Sequence, residues 1–247
     1  MPGYHAGMTE QFIIERLGHQ GDGIAPGPVF VPRTLPGETV EGVRAGDRLG
    51  EVRIVTPSAD RVKAPCRHYQ GCGGCSLQHA SDDFVAAWKV DVVRTALAAQ
   101  GLETVFRTIQ TSPPRSRRRA TFAARRTKKG ALVGFHGRAS ETIVEILDCQ
   151  LLDPALLAAL PVAEALAVTG GSRKGVLSVT ATLSEVGLDL AVSGGKPLDG
   201  PLQQALAQLT ERHGLARLAW DGEVIAMRAP PVQRFGATSV VPPPGAF

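Results

Sequence analysis

The feature that most constrains this chain is a crowded set of cysteines. Three of the four lie at the spacing Cys-x5-Cys-x2-Cys and the fourth is far downstream: Cys66, Cys72, Cys75 and Cys149. Two glycines between the last pair of the loop let backbone amides approach sulfur closely. Three clustered thiolates with a remote fourth are typical of an iron–sulfur site. Closure of such a site by Cys149 would couple metal binding to folding.

Zinc is the main alternative reading of the same loop. Zinc sites usually contain two close Cys or His pairs, and His68 and His79 lie near enough in sequence to complete one. Free thiols or a disulfide are the remaining possibilities. In a cytoplasmic chain, a cysteine cluster indicates metal rather than disulfides. The spacing therefore favours iron–sulfur over zinc and leaves both open.

Composition places the cysteine loop in a folded, turn-rich protein. The 247 residues are 43% hydrophobic and only 20% charged, with 28 Gly and 18 Pro, which excludes a disordered tail and predicts about two domains. The first ten residues contain no apolar signal segment, and the longest apolar run, 155–168, is broken by Pro161 and Glu164. We therefore expect a soluble, cytoplasmic monomer with no membrane partner.

The hydrophobic pattern predicts two different domains. Residues 9–58 contain short strands separated by Gly and Pro-Gly turns, as in a small antiparallel barrel. Residues 59–240 predict an α+β, mainly antiparallel domain, with no sustained parallel βαβ spacing. Ser81 is the expected N-cap of a helix that ends near Gly101, and Phe84, Trp88 and Val92 mark its packing face.

Basic residues are concentrated just before the middle of the chain. The formal net charge is only +4, but the segment 115–129 contains eight Arg or Lys and no Asp or Glu. A local field of one sign attracts phosphates, although a solvated strand edge is the plainer alternative. Arg117 and Arg119 alternate along a predicted strand, so they are expected on one face.

Several motifs resemble the RNA uracil-5 methyltransferases, the TrmA/RumA/RlmD family. The block 66–79, CRHYQGCGGCSLQH, is similar to the family's cluster loop. Upstream, 21–25 (GDGIA), 29–31 (VFV) and 35–40 (LPGETV) resemble its TRAM domain, an OB-like RNA-binding barrel. Downstream, 117–120 (RRRA) resembles its Tyr-Arg-x-Arg-Ala element, with Ser116 in place of Tyr, and 149–152 (CQLL) resembles the segment of the fourth cluster ligand.

The resemblance implies a chemistry and a set of partners. In this family the four cysteines hold a 4Fe-4S cluster that organises RNA binding, and a class I fold binds S-adenosylmethionine. A Cys thiolate adds to C6 of uracil, C5 receives the methyl group, and a carboxylate removes the C5 proton. The TRAM barrel favours ribosomal over transfer RNA, which leads us to expect 23S rRNA as the substrate.

The catalytic part of that chemistry is not evident in the sequence. Four cluster ligands leave no free cysteine, and no stretch has the order of a doubly wound domain, with a Gly-rich loop after its first strand and an acidic residue after its second. Residues 241–247 resemble the family's entry into the methyltransferase domain. We therefore expect the Rossmann-like domain to be absent, the chain to be inactive alone, and S-adenosylmethionine to bind only the full-length enzyme.

These predictions define a site and a rival function. The expected RNA contacts are Arg117, Arg119, Arg125, Lys128 and Phe247, the last because the family places this Phe near the target base. No catalytic residue is assigned. The rival function is a non-enzymatic, zinc-stabilised RNA-binding module.

Overall fold

The computed structural model describes residues 9–246, which form two compact units. The first contains the described residues up to Tyr69 together with Cys75–Thr111, and the second contains Gln70–Gly74 and the chain from Ser112 onward. Phe247, a predicted RNA contact, lies outside the described residues. The helix after Ser81 belongs to the first unit, whereas the predicted boundary after residue 58 assigned it to the second domain.

Six short strands make the first unit's sheet, in the order β1-β5-β6-β4-β3-β2. They are β1 (Thr9–Ile13), β2 (Arg16–Leu17), β3 (Gly23–Ala25), β4 (Val29–Val31), β5 (Thr39–Ala45) and β6 (Arg48–Thr56). The two edge strands, β1 and β2, are consecutive in the chain. A flat sheet of this width separates its edges by about 24 Å, whereas their link spans at most about 11 Å. The sheet must therefore curl into a barrel.

The barrel is filled by β-branched and small apolar side chains. Its core consists of Ile14, Ala25, Val29, Val31, Val40 and Leu49, all nearly or fully buried. Ile14 lies in the link between β1 and β2, where its amide donates to the Glu38 carbonyl at 2.9 Å. The alternation of buried and exposed residues along β5 follows the period of two that the sequence shows.

One helix, α1 (Asp82–Ala98), packs beside this barrel. Ser81 is its N-cap and accepts a hydrogen bond from the Phe84 amide, which confirms the predicted start. Phe84 and Trp88 pack against a small cluster formed by Leu17, Leu35 and Ala80. Val92, the third residue of the predicted face, is 36% exposed, so only the first half of the stripe packs.

The second unit is built on a seven-stranded sheet with the order β13-β12-β11-β10-β7-β8-β9. Its elements in chain order are β7 (Arg119–Arg126), β8 (Ala131–His136), β9 (Ile143–Glu145), a 3-10 helix (Pro154–Ala158), α2 (Ala159–Gly170), β10 (Leu177–Ser184), β11 (Gly187–Ser193), α3 (Gly200–Arg212), β12 (Arg217–Trp220) and β13 (Glu223–Met227). A separate hairpin follows, β14 (Gln233–Phe235) and β15 (Thr238–Val240).

A parallel pair corrects one expectation for this sheet. β11 and β12 pair in parallel, with Asp189 opposite Arg217, and α3 makes the crossover between them. This is a βαβ unit: the sequence pattern predicts strands at 188–192 and 215–220 and a helix between them, but not that the two strands pair in parallel. Periodicity identifies each strand, whereas its partner in the sheet is fixed by contacts between elements distant in sequence.

The sheet buries one face against α2 and α3. Phe122, Leu166, Leu190, Leu206 and Trp220 are fully buried in this single core. Arg217 and Asp189, on neighbouring strands, form a buried ion pair with two hydrogen bonds of 2.7 and 2.9 Å. Among the described residues, no helix is both long and apolar enough to cross a membrane.

Candidate functional site

In the first unit, Cys66 and Cys75 are connected through a glutamine side chain. The Gln78 Oε1 atom accepts a hydrogen bond from the Cys66 amide at 3.3 Å, and its Nε2 atom donates to Cys75 Sγ at 3.1 Å. A primary amide provides one acceptor and two donors, so this side chain can order both ends of the loop. No sequence signal marks Gln78 as part of the site, since its spacing from the cysteines is not a motif of its own.

In the second unit, Cys72 is fixed on the edge of the sheet by its neighbours. The Gly73 amide donates to the His136 carbonyl at 2.9 Å, and the Gly74 amide donates to Cys72 Sγ at 3.4 Å. A Cβ atom on Gly73 would lie 2.8 Å from that carbonyl oxygen, so only glycine fits. Cys72 is buried in the core of this unit, and Cys149 packs against the same core.

All four cysteines are free thiols, so the disulfide alternative is not realised. Within residues 9–246, no group of three or more His, Cys, Asp or Glu side chains is arranged to hold a metal ion. The ligand set of Cys66, Cys72, Cys75 and Cys149 therefore stays a prediction from the sequence.

The histidines considered for zinc are engaged elsewhere. His79 is buried, and its Nδ1 atom lies 2.6 Å from the Tyr69 hydroxyl oxygen, whose single hydrogen is donated to the Ser76 carbonyl. Burial, followed by the charge of Arg61, lowers the His79 pKa to about 4, so its ring is neutral near pH 7. His68 Nε2 lies 3.2 Å from Arg67 Nε. Both rings contribute to the structure of the loop.

The first unit also contains a buried carboxylate, Glu38. Glu38 accepts hydrogen bonds from the amides of Leu35 and Ser58, at 2.8 and 3.1 Å, and from the Arg61 guanidinium. Burial alone would raise the Glu38 pKa, but the hydrogen bonds from Arg61 and the two amides outweigh it and lower the pKa. Arg61 also donates to the Arg33 carbonyl, which fastens the segment after the barrel to the β4–β5 loop.

The basic run of residues 115–129 is divided by the fold into two halves. In the first half, the side chains contact their own chain: Arg115 with Asp148 and Gln150, Arg118 with Gln233, and Arg119 with the Gly245 carbonyl. Arg117 is exposed, and its backbone bonds Leu151 and Asp153. Arg117 and Arg119 therefore differ in how free their side chains are.

The second half lies at the far end of β7. Arg119 and Arg126 are seven residue steps apart along the strand, about 23 Å. Arg125 is half-buried and Lys128 is exposed at the hairpin tip, and among the described residues neither forms an ion pair. These two predicted RNA contacts are thus side chains whose charge is not neutralised by a neighbour.

Comparison with known proteins identifies the class that this chain resembles. It is 37% identical to an uncharacterized RNA methyltransferase of Brucella suis biovar 1 over 242 residues, covering 97% of this chain and 58% of the relative. It is 39% identical to another uncharacterized RNA methyltransferase, of Caulobacter vibrioides, covering 96% of this chain and 60% of the relative. No protein-family model matches the chain.

One further relative and one solved structure have names that specify the modified base. The 23S rRNA (uracil(1939)-C(5))-methyltransferase RlmD of Marinomonas is 38% identical over 162 residues, which are 61% of this chain and 36% of that protein. The Pyrococcus abyssi tRNA (uracil-54, C5)-methyltransferase, solved with S-adenosyl-L-homocysteine, superposes with a TM-score of 0.64 at 20% identity. That superposition covers 99% of this chain and 61% of the solved one.

These comparisons correct the predicted fold class. The chain aligns with RNA methyltransferases over 97% of its length and superposes on a methyltransferase over 99%. The predicted absence of a Rossmann-like domain is therefore corrected, and the conclusion that a catalytic domain is missing has no support in these comparisons. The chain spans about three fifths of the length of the relatives it matches.

Proposed function

We propose that this protein is an RNA methyltransferase that transfers a methyl group from S-adenosylmethionine to C5 of uracil. The alignment over 97% of the chain with RNA methyltransferases carries the proposal. The similarity to an enzyme named for uracil-C5 methylation of 23S rRNA supplies the position on the base. The fold shared with a second uracil-C5 enzyme, on a chain only 20% identical, is consistent with it.

Ribosomal RNA is the proposed substrate. The relative named for 23S rRNA is 38% identical to this chain, whereas the tRNA enzyme shares little beyond the fold. Arg117, Arg119, Arg125 and Lys128 are the proposed protein contacts to RNA. Guanidinium and ammonium groups bind phosphates without reading sequence, so these contacts would position the RNA while the choice of uridine depends on its shape.

The direct test is formation of 5-methyluridine. The protein is incubated with S-adenosylmethionine and a transcript of 23S rRNA, which is then digested to nucleosides for mass spectrometry. We expect 5-methyluridine that depends on both protein and S-adenosylmethionine. A methylated nucleoside of another kind would refute the assigned position, and a transfer RNA methylated in preference to the ribosomal transcript would refute the substrate.

We also propose that Cys66, Cys72, Cys75 and Cys149 hold a 4Fe-4S cluster, which would stabilise the RNA-binding part of the protein. The sequence spacing supports the proposal. Within each unit, an N–H group donates to a thiol sulfur: Gln78 Nε2 to Cys75, and the Gly74 amide to Cys72. Such donors stabilise thiolates, the form that binds iron.

Metal analysis separates this proposal from its alternatives. Protein purified without oxygen should contain about four irons and four sulfides per chain. The Cys149→Ser variant should lose them, while the control Ser76→Ala keeps them. One zinc without sulfide would instead indicate a zinc-stabilised RNA-binding module, and no metal at all would remove the cluster from the proposal.

A further inference from the structure

The hairpin between β7 and β8 presents cations at one end of the second unit's sheet. Arg125 and Arg126 pair with Leu132 and Ala131, and Lys128 and Lys129 follow at the tip. The turn is closed by a hydrogen bond from the Thr127 amide to the Gly130 carbonyl at 2.8 Å. The backbone of this tip is therefore ordered while its two lysine side chains extend into solvent.

A second loop, distant in sequence, reaches the same end of the sheet. β10 pairs antiparallel with β7, and its first residue, Leu177, lies opposite Ala124. The loop that precedes β10 thus ends beside the hairpin, and it contains Arg173 and Lys174, both exposed. The Ser172 hydroxyl accepts hydrogen bonds from the amides of Lys174 and Gly175, at 3.2 and 2.8 Å, which orders this loop as well.

Together the two loops form a patch that we call the basic end, made of Arg125, Arg126, Lys128, Lys129, Arg173 and Lys174. In the part of the chain that the structure describes, none of its six cations belongs to an ion pair. The nearest acid in these loops and the adjoining helix is Glu164, whose carboxylate approaches Gly130. One carboxylate against six cations leaves a strong positive field.

We propose that the basic end binds the sugar–phosphate backbone of RNA. The proposal rests on the proposed function, since it assumes an RNA substrate. The two loops, 127–130 and 171–176, contain no aromatic residue on which a base could stack. Flexible cations on two ordered loops match a row of phosphates, so this surface holds RNA outside the modified uridine rather than the uridine itself.

The test removes the two cations that lie outside the basic run of the sequence. R173Q/K174Q is compared with R212Q/R234Q, a control that removes two exposed cations elsewhere in the same unit. Affinity for a fluorescein-labelled RNA hairpin is measured by anisotropy from about 50 to 200 mM salt. The slope of log affinity against log salt should become shallower by about 1 to 2 in the first variant and stay native in the control.

The outcomes distinguish failure of the basic-end proposal from failure of the proposed function. Equal slopes in R173Q/K174Q and in the native protein, with 5-methyluridine still formed, would overturn the role of the basic end alone. A native protein that neither binds the hairpin nor forms 5-methyluridine would overturn the proposed function and the basic end together. Denaturation midpoints are measured in parallel for both variants. If they are equal, a shallower salt slope in R173Q/K174Q reflects fewer phosphate contacts and not partial unfolding.

Discussion

At the scale of single residues, Glu38 connects several segments of the first unit through hydrogen bonds. It is fully buried and satisfies Arg61 and the amides of Leu35 and Ser58. In Glu38→Gln, Arg61 loses its charged partner, and an amide donor takes the place of an acceptor. Removal of one member of a buried pair costs about 3 kcal/mol of unfolding free energy or more, which urea denaturation measures.

Glu41 supplies the matched control for that substitution. It pairs with Arg53 on the barrel surface, where the Arg53 side chain is 70% exposed. Exposed pairs stabilise proteins by less than about 1 kcal/mol, so Glu41→Gln should unfold at nearly the native urea concentration. Equal losses of unfolding free energy in the two variants would show that the buried hydrogen bonds of Glu38 stabilise the protein no more than an exposed ion pair does.

The lowered pKa of Glu38 also predicts the direction of a pH effect. A carboxyl whose pKa is lower in the folded state stabilises the fold fully above its unfolded pKa, near 4.5. That contribution is lost as the pH falls through the folded pKa. The difference in stability between native protein and Glu38→Gln should therefore shrink below pH 4.5. A constant difference down to acid pH would contradict the assignment.

His79 titrates in a higher pH range. Its pKa is near 4 in the folded protein and near 6.5 in the unfolded chain, so the unfolded state binds a proton first. Stability from this group is complete above pH 6.5 and falls as the pH drops toward 4. In His79→Gln this decline should disappear, although the variant is less stable throughout. Urea midpoints of both proteins across this pH range test the expectation.

At the scale of elements, two glycines distant in sequence, Gly170 and Gly195, approach one buried tryptophan. Trp220 on β12 is fully buried, and its indole N–H donates to the Lys196 carbonyl at 3.0 Å. A Cβ atom on Gly195 would lie 2.0 Å from the indole ring, and one on Gly170 would lie 2.4 Å from it. The end of α2 and the loop before α3 therefore need glycine to close on the ring.

Gly195→Ala should consequently destabilise the second unit. Overpacking a core typically costs about 1 to 3 kcal/mol, and the buried Trp220 ring also lies close to Gly170. Gly200→Ala is the control, because a Cβ there meets nothing within 4 Å at the start of α3. Thermal unfolding of the two variants, followed by tryptophan fluorescence, gives the comparison. A native midpoint for Gly195→Ala would mean that Trp220 can shift.

The elements also show how far sequence patterns reach. The helix after Ser81, the hairpin of β10 and β11, and α3 were predictable because caps and periodicity act locally. The parallel pairing of β11 with the strand at 217–220 was not, since pairing across a helix depends on contacts between elements distant in sequence. The sequence also does not show that Arg173 and Lys174 lie beside the hairpin at 126–130. Their position results from the pairing of β7 with β10, two strands that are distant in sequence.

At the scale of the whole molecule, a net charge of only +4 makes the placement of charge decisive. The fold uses one half of the basic run internally and leaves the other half open. Arg118 donates to buried Gln233 at 2.6 Å, and that amide donates to the Leu183 carbonyl. The sequence could identify the run as a phosphate-seeking segment, but not this division, which depends on partners 33 to 126 positions downstream.

The division predicts opposite effects for two substitutions that each remove one positive charge. Arg118→Gln should lower the unfolding free energy by about 1 kcal/mol, because a charged hydrogen bond is lost, and should leave the salt dependence of RNA binding native. Arg125→Gln should keep the native urea midpoint and make the salt slope shallower by about 1. Anisotropy and urea titrations on both variants provide the four values. If Arg118→Gln changed the slope more than Arg125→Gln, the first half of the basic run would contribute more to RNA binding than the basic end, which would contradict this division.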